Sequence, residues 1–267
     1  MNAVADGAGI PETVSQDMLI APFNDIEFVR SLFAQYGDDI AAIIVEPLQP
    51  LIPPVPGFLK ALREECTRHG AILIFDEIVT EFRFAYGGAQ ELYGVTPDLC
   101  TLGKLIGGGF PLAAIAGSAE IMAHFDKSKA GKGGWLMQIG RLSGNPVAVA
   151  AGLKTLEILR RPRSYERLRN VGEQLMAAIE TKLNAAGVAH QVVGHPTLFG
   201  IVFTDRAVKN YRDFLSGDAQ QSSAFNKSLR KNGIFKSPGK FYPSLALSEH
   251  DIAQTIDAID NGVKAVS

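Results

Sequence analysis

The chain has 267 residues, 46% of them hydrophobic and 20% charged, with a formal net charge of −2. This length supports a real hydrophobic core in one large domain or two modest ones, and the composition is that of a globular protein. Near-neutral charge removes the electrostatic case for a nucleic-acid or anionic-membrane partner, and no apolar run approaches the roughly 20 residues of a spanning helix.

The opening stretch, "MNAVADGAGIPETVSQDM", carries neither a basic nor an apolar signal-peptide region and reads as a lead-in. "NDIEFVRSLFAQY" then has apolar residues at helical spacing, with Asn24 or Asp25 as N-cap. "IAAIIVEP", residues 40–47, is an unbroken apolar run and predicts a strand buried on both faces. A helix in "PGFLKALREECTRHG" closes at Gly70, and "AILIFDEI", residues 71–78, predicts a second buried strand. "PDLCTLGK" and "PLAAIAGS" supply two more strand-like segments, and Ser118 is placed to cap a short helix in "SAEIMAHF". Strands alternating with helices predict an α/β fold built on a mostly parallel sheet.

After "SGNP" two long helical patterns follow, broken near Pro162, then strands near "HQVVGH" and "TLFGIVFT". A final helix begins with the capping-box spacing Ser248 to Asp251. The change of character predicts a larger domain over residues 1–159 and a smaller α+β domain over 160–267. Cys66 and Cys100 lie far apart, fit no metal-ligand spacing and read as reduced thiols of a cytoplasmic protein. The five histidines show no metal-ligand spacing either.

In parallel α/β sheets, ligands sit beyond the carboxyl ends of the strands. Glu46, Asp76 and Lys104 all fall at such ends. Each has a bland alternative: a loop anchor, a helix cap and a solvated charge. Asp76 is the most informative acid, because a carboxylate after four apolar strand residues is costly to desolvate. Glu77 should point the other way, since side chains alternate along a strand. The "GGGFP" after Lys104 lacks the spacing of a dinucleotide fingerprint and on its own reads as a tight turn. Arg83 is placed to hold a carboxylate or to form an ordinary surface pair.

Taken together, "FDEIVTEFR", "TPDLCTLGKLIGGGFPLAA" and "GRLSGNPVAVAAG" resemble the class III aminotransferases, enzymes of fold type I that depend on pyridoxal 5'-phosphate (PLP). Within that class, "APFND", "GGAQELYGVTPDL", "LGKLIGGGFP" and "LSGNP" are most similar to glutamate-1-semialdehyde 2,1-aminomutase-like proteins. The resemblance implies an aminotransferase or aminomutase acting on a small amino acid or amino aldehyde. It makes Lys104 the Schiff-base and proton-shuttling residue and pairs Asp76 with the pyridinium nitrogen. It sets Ile78, two residues along the same strand face, against the ring, and puts Glu46 in the substrate or cofactor pocket. The glycines after Lys104 are expected to let the backbone pass close to the cofactor. A homodimer with the site at the subunit interface is also implied.

The sequence departs from that family in three places. Arg141 stands where relatives carry a threonine that reaches the neighbouring subunit's phosphate, and Glu81 stands where glycine is usual, near enough to a pocket to alter substrate preference. The family's N-terminal phosphate-binding segment has no counterpart, which implies a C-terminal portion with an exposed sheet edge or apolar face. The rival reading is a catalytically inactive fragment that binds PLP weakly or not at all. A nucleotide-binding α/β module is the more distant alternative. Lys240 stands where relatives that take ω-amino substrates carry an arginine, so that specificity cue is absent.

Overall fold

The computed structural model describes residues 4–5, 7–48, 51–130 and 134–267. After the short α1 (Glu12–Gln16), α2 (Ile26–Tyr36) starts at Asp25, whose carboxylate accepts the Phe28 N–H at 2.9 Å. Asn24 is a tether instead. Its side chain accepts from the Val55 amide and donates to the carbonyls of Pro53 and Lys209.

Four strands follow: β1 (Ala42–Val45), β2 (Ile72–Asp76), β3 (Leu99–Leu102) and β4 (Ala114–Gly117). They form one sheet in that order, the first three parallel and β4 antiparallel. Between β1 and β2 runs α3 (Phe58–His69), ended by Gly70 at φ 68°. Between β2 and β3 lies α4 (Gly88–Tyr93), and α5 (Ala119–Met122) follows β4 with Ser118 as its cap. Val29 and Phe33 of α2, Leu62 and Cys66 of α3, and Leu73 and Phe75 of β2 form the core on one face of the sheet.

Two strand expectations need correcting. β1 is not buried on both faces, and Ile44 is 56% exposed. The strand pairs only with β2 and stands at the sheet edge. At the other edge, Ile115 of β4 is 48% exposed. β2 stops at Asp76 rather than running to Ile78, because the Ile78 N–H turns back to Asp76 Oδ1 at 3.1 Å.

Downstream, α6 (Pro146–Leu159) begins with Asn145 accepting from the amides of Val147 and Ala148, with Pro146 in its first turn. Then come α7 (Ser164–Ala185), the antiparallel pair β5 (Gln191–His195) and β6 (Leu198–Val202), and α8 (Tyr211–Leu215). The chain closes with α9 (Ala219–Lys231) and α10 (Glu249–Lys264). Ser248 and Asp251 make the capping box their spacing predicts. Leu175, Ile179, Leu183, Phe199, Phe225, Leu229 and Ile259 form a second core. The two halves meet where Leu198 packs with Leu48, Leu51, Phe84 and Ala89.

Candidate active site

β2 and β3 run parallel, with Asp76 paired to Thr101. Both strands therefore end at the same edge of the sheet. Three residues past Thr101, the chain reaches Lys104, whose side chain is exposed. Lys104 has φ 45°, a left-handed conformation that is uncommon for a non-glycine residue. Strain of this kind costs on the order of 1–3 kcal/mol and concentrates at functional sites. It arises where the extended backbone of Gly103 breaks into a tight turn over Lys104–Gly107.

Asp76 is half-buried and is met by neutral donors. Its Oδ1 accepts the Thr101 hydroxyl at 3.0 Å and the Ile78 amide at 3.1 Å. Among the described residues Oδ2 accepts no hydrogen bond, so it is available to a ligand's donor. Ile78 lies in the turn after β2, not on the strand as expected, with its Cδ1 2.9 Å from where a Cβ on Gly103 would stand. A side chain directly before Lys104 would have to displace the end of Ile78. Glu46 follows Val45, which pairs with Phe75, so it is level with Asp76 at the same sheet edge. It is half-buried and acts electrostatically on Tyr242.

Arg141 is placed differently. It is exposed in the turn before α6, and among the described residues it makes no hydrogen bond or ion pair with Lys104, Asp76 or Ile78. Among the glycines after Lys104, Gly108 has a packing role. Gly108, at φ 57°, sits so close to α6 that a Cβ would stand 2.7 Å from the Ala151 carbonyl oxygen. A Cβ on Gly152 of α6 would likewise stand 2.2 Å from the carbonyl oxygen of Ile106. These glycines seat the lysine turn on a helix.

Glu77 faces away from Asp76, as strand alternation requires, and is fully buried. Its Oε2 accepts from the Ala89 amide at 2.6 Å and the Thr80 hydroxyl at 2.9 Å, and its Oε1 accepts from Gln90 Nε2. It thereby ties the start of α4 to the end of β2. Glu81 joins this cluster, its amide closing a helical turn onto the Glu77 carbonyl. A Cβ on Gly88 would lie 2.5 Å from Glu77 Oε2 and 2.6 Å from Glu81 Oε2, so both oxygens crowd one point. Glu81 Oε2 is buried without a hydrogen-bond partner among the described residues. Burial, and then the neighbouring Glu77 charge, push its carboxyl up to about 7.

Thr101 escapes a motif reading, although strand register alone would pair it with Asp76. Trp135 donates its indole N–H to the Phe125 carbonyl at 3.2 Å, while residues 131–133 of its glycine-rich loop lie outside the described residues.

Comparison with known proteins agrees with this arrangement. The aminotransferase class-III family profile matches residues 8–263. Glutamate-1-semialdehyde 2,1-aminomutase 2 of Brevibacillus brevis is 41% identical over 265 residues, covering 97% of this chain and 61% of its own. The crystal structure of an omega-transaminase from Sphaerobacter thermophilus superposes with a TM-score of 0.91 at 35% identity, covering 99% of this chain and 61% of that one. A transaminase with PLP bound superposes at 0.88 with 30% identity, covering 100% of this chain and 62% of that one. The chain thus spans about three-fifths of the length of these relatives. A lysine in a strained turn beside a strand-end aspartate, on a framework shared from residue 8 to residue 263, makes this chain a member of the class-III aminotransferases.

Proposed function

We propose that this chain is the PLP-binding portion of an aminotransferase or aminomutase that moves an amino group on a small amino acid or amino aldehyde. One observation carries the reading: an exposed lysine held at φ 45° and a half-buried aspartate end adjacent parallel strands on one sheet edge. The residues suit the cofactor. Lys104 would hold its aldehyde carbon, Asp76 Oδ2 would accept from its pyridinium nitrogen, and Ile78 would pack beside the ring. When bound, PLP supplies an electron sink for charge developing at the substrate carbon.

The protein's own parts then divide the work. Thr101 orients the Asp76 carboxylate by bonding its other oxygen, so that Oδ2 faces the ligand. The Lys104 amine moves the proton at the reacting carbon, and its strained turn aims it. Glu46 lines the same edge from β1. Arg141, exposed and cationic, suits a phosphate presented by a second subunit in a homodimer. Residues 1–159 would form the partial cofactor domain and 160–267 the smaller domain, a division supported by their two separate cores. The two buried free thiols fit a reducing cytoplasm.

The test is reduction with borohydride after incubation with PLP, followed by peptide mapping. The pyridoxyl group should lie on Lys104 and vanish in Lys104→Ala. A colourless protein without adduct would support the inactive-fragment reading, and an adduct on another lysine would overturn the site.

A further inference from the structure

Between the lysine turn and the segment that follows β6 and α9 lies a pocket of about 210 Å³. Arg83, Thr155, Tyr242 and Ser244 are its polar side chains, the Thr155 hydroxyl being spent on the Ala151 carbonyl, and Leu105, Ile158 and Leu168 belong to its apolar wall. Arg83 is the notable member. It is half-buried, and burial lowers the pKa of its guanidinium. One of its N–H groups is spent on the Pro243 carbonyl at 2.9 Å, and its guanidinium carbon stands 5.6 Å from the centre of the Tyr242 ring. Among the described residues it has no carboxylate within ion-pair distance. A desolvated cation without a counter-charge is costly, and an anion entering the pocket relieves that cost.

The other polar groups are of matching type. The Ser244 hydroxyl already accepts from the Ala246 amide, which leaves its own proton to donate. Tyr242 lines the same pocket, and its hydroxyl is a second donor. A guanidinium and two hydroxyl donors suit an acceptor-only group, and a carboxylate is the planar anion that a guanidinium fork fits. The apolar wall asks for several carbons attached to it. Glu46 acts on Tyr242 in the opposite sense to Arg83, which disfavours a second negative group.

We propose that this pocket is a binding site for a monocarboxylate with a short apolar body, anchored by Arg83. It goes beyond the cofactor reading and does not depend on it. The probe needs no amine, and Lys104→Ala should bind it unchanged.

The experiment is a calorimetric or NMR titration of the full chain with hexanoate, hexan-1-ol and adipate. Hexanoate should bind saturably, with the alcohol and the diacid weaker. Arg83→Met should weaken hexanoate on the order of tenfold, the scale of one charge-assisted hydrogen bond, while Arg83→Lys retains part of the affinity. Should Arg83→Met not fold, Ile158→Trp, which fills the pocket from α6, carries the same decision by abolishing binding. Absence of saturable hexanoate binding would overturn the proposal. So would hexan-1-ol binding as tightly as the acid, or a folded Arg83→Met matching the wild type. Equal binding of adipate would remove the restriction to monoacids.

Discussion

The C-terminal half and the four-stranded sheet bury apolar surface to different degrees. In the former, α7, α9 and α10 close over β5 and β6, and Ile179, Leu183, Leu229 and Ile259 are wholly inaccessible. In the latter, both edge strands carry exposed branched residues, and α6 shows Val147 at 56% and Leu153 at 64% to solvent. The same residue types thus contribute stability where they are enclosed, as Leu73 and Phe75 also are on the covered face of the sheet, and little on the exposed edge strands and α6. Ile179→Ala should cost about 3–4 kcal/mol in denaturant unfolding, since it empties a fully packed site. Ile44→Thr on β1 keeps β propensity where no partner packs, and should cost under about 0.5 kcal/mol. Comparable losses at both sites would mean that the β1 face is covered in solution.

The second contrast lies within a few residues. Asp76 and Glu77 are neighbours, yet one is half-buried at the strand end and the other is sealed in with Glu81. The Glu81 carboxyl titrates near 4.5 when unfolded and at about 7 when folded. Between those values the native state holds a proton that the unfolded state has released. Stability from this group is therefore complete below about 4.5, falls as pH rises, and is lost above about 7. At 1.36 kcal/mol per unit the penalty at pH 8 is on the order of 3 kcal/mol. Glu81→Gln should recover most of it at pH 8 and little at pH 4.5, read as the variant-minus-wild-type difference in unfolding free energy. A difference that does not change with pH would show that neither burial nor the Glu77 charge raises the Glu81 carboxyl in the folded chain.

Much of this was legible because it is local. The caps at Asp25, Ser118 and Ser248, the stop at Gly70 and the apolar core of β2 depend on residues within a turn of each other. The order Asp76 then Lys104 at successive strand ends is likewise a matter of sequence pattern. Contacts between distant residues were not legible. Gly108 against Ala151, and Arg83 to Pro243, join segments whose approach only the folded chain sets. Ile78 left its strand through a single bond from its own amide to the Asp76 carboxylate, which hydrophobic periodicity cannot register. Exposure of Ile44 depends on what flanks β1 in space, so an apolar run misleads there.

The smallest expected effects come from helix caps, and they probe how far the two halves unfold together. Ser248 and Asn145 each accept amide bonds at the start of a helix, and replacing either with alanine should cost about 1 kcal/mol. Their surroundings differ. α10 is held along its length by the closed core, through Ile252, Ile259 and Val263. Its loosened first turn is therefore opposed by packing, and Ser248→Ala should lower the global unfolding midpoint. α6 buries only Ala148, Gly152 and Leu159. Asn145→Ala should therefore raise hydrogen exchange in the first turns of α6 before it moves the midpoint. The Lys104 turn rests on that helix through Gly108 and Gly152, so the same variant should weaken PLP retention at Lys104 severalfold, whereas Ser248→Ala should not. Equal loss of PLP from both variants would mean that the two halves form one cooperative unit and that the lysine turn takes its shape from the whole chain rather than from α6.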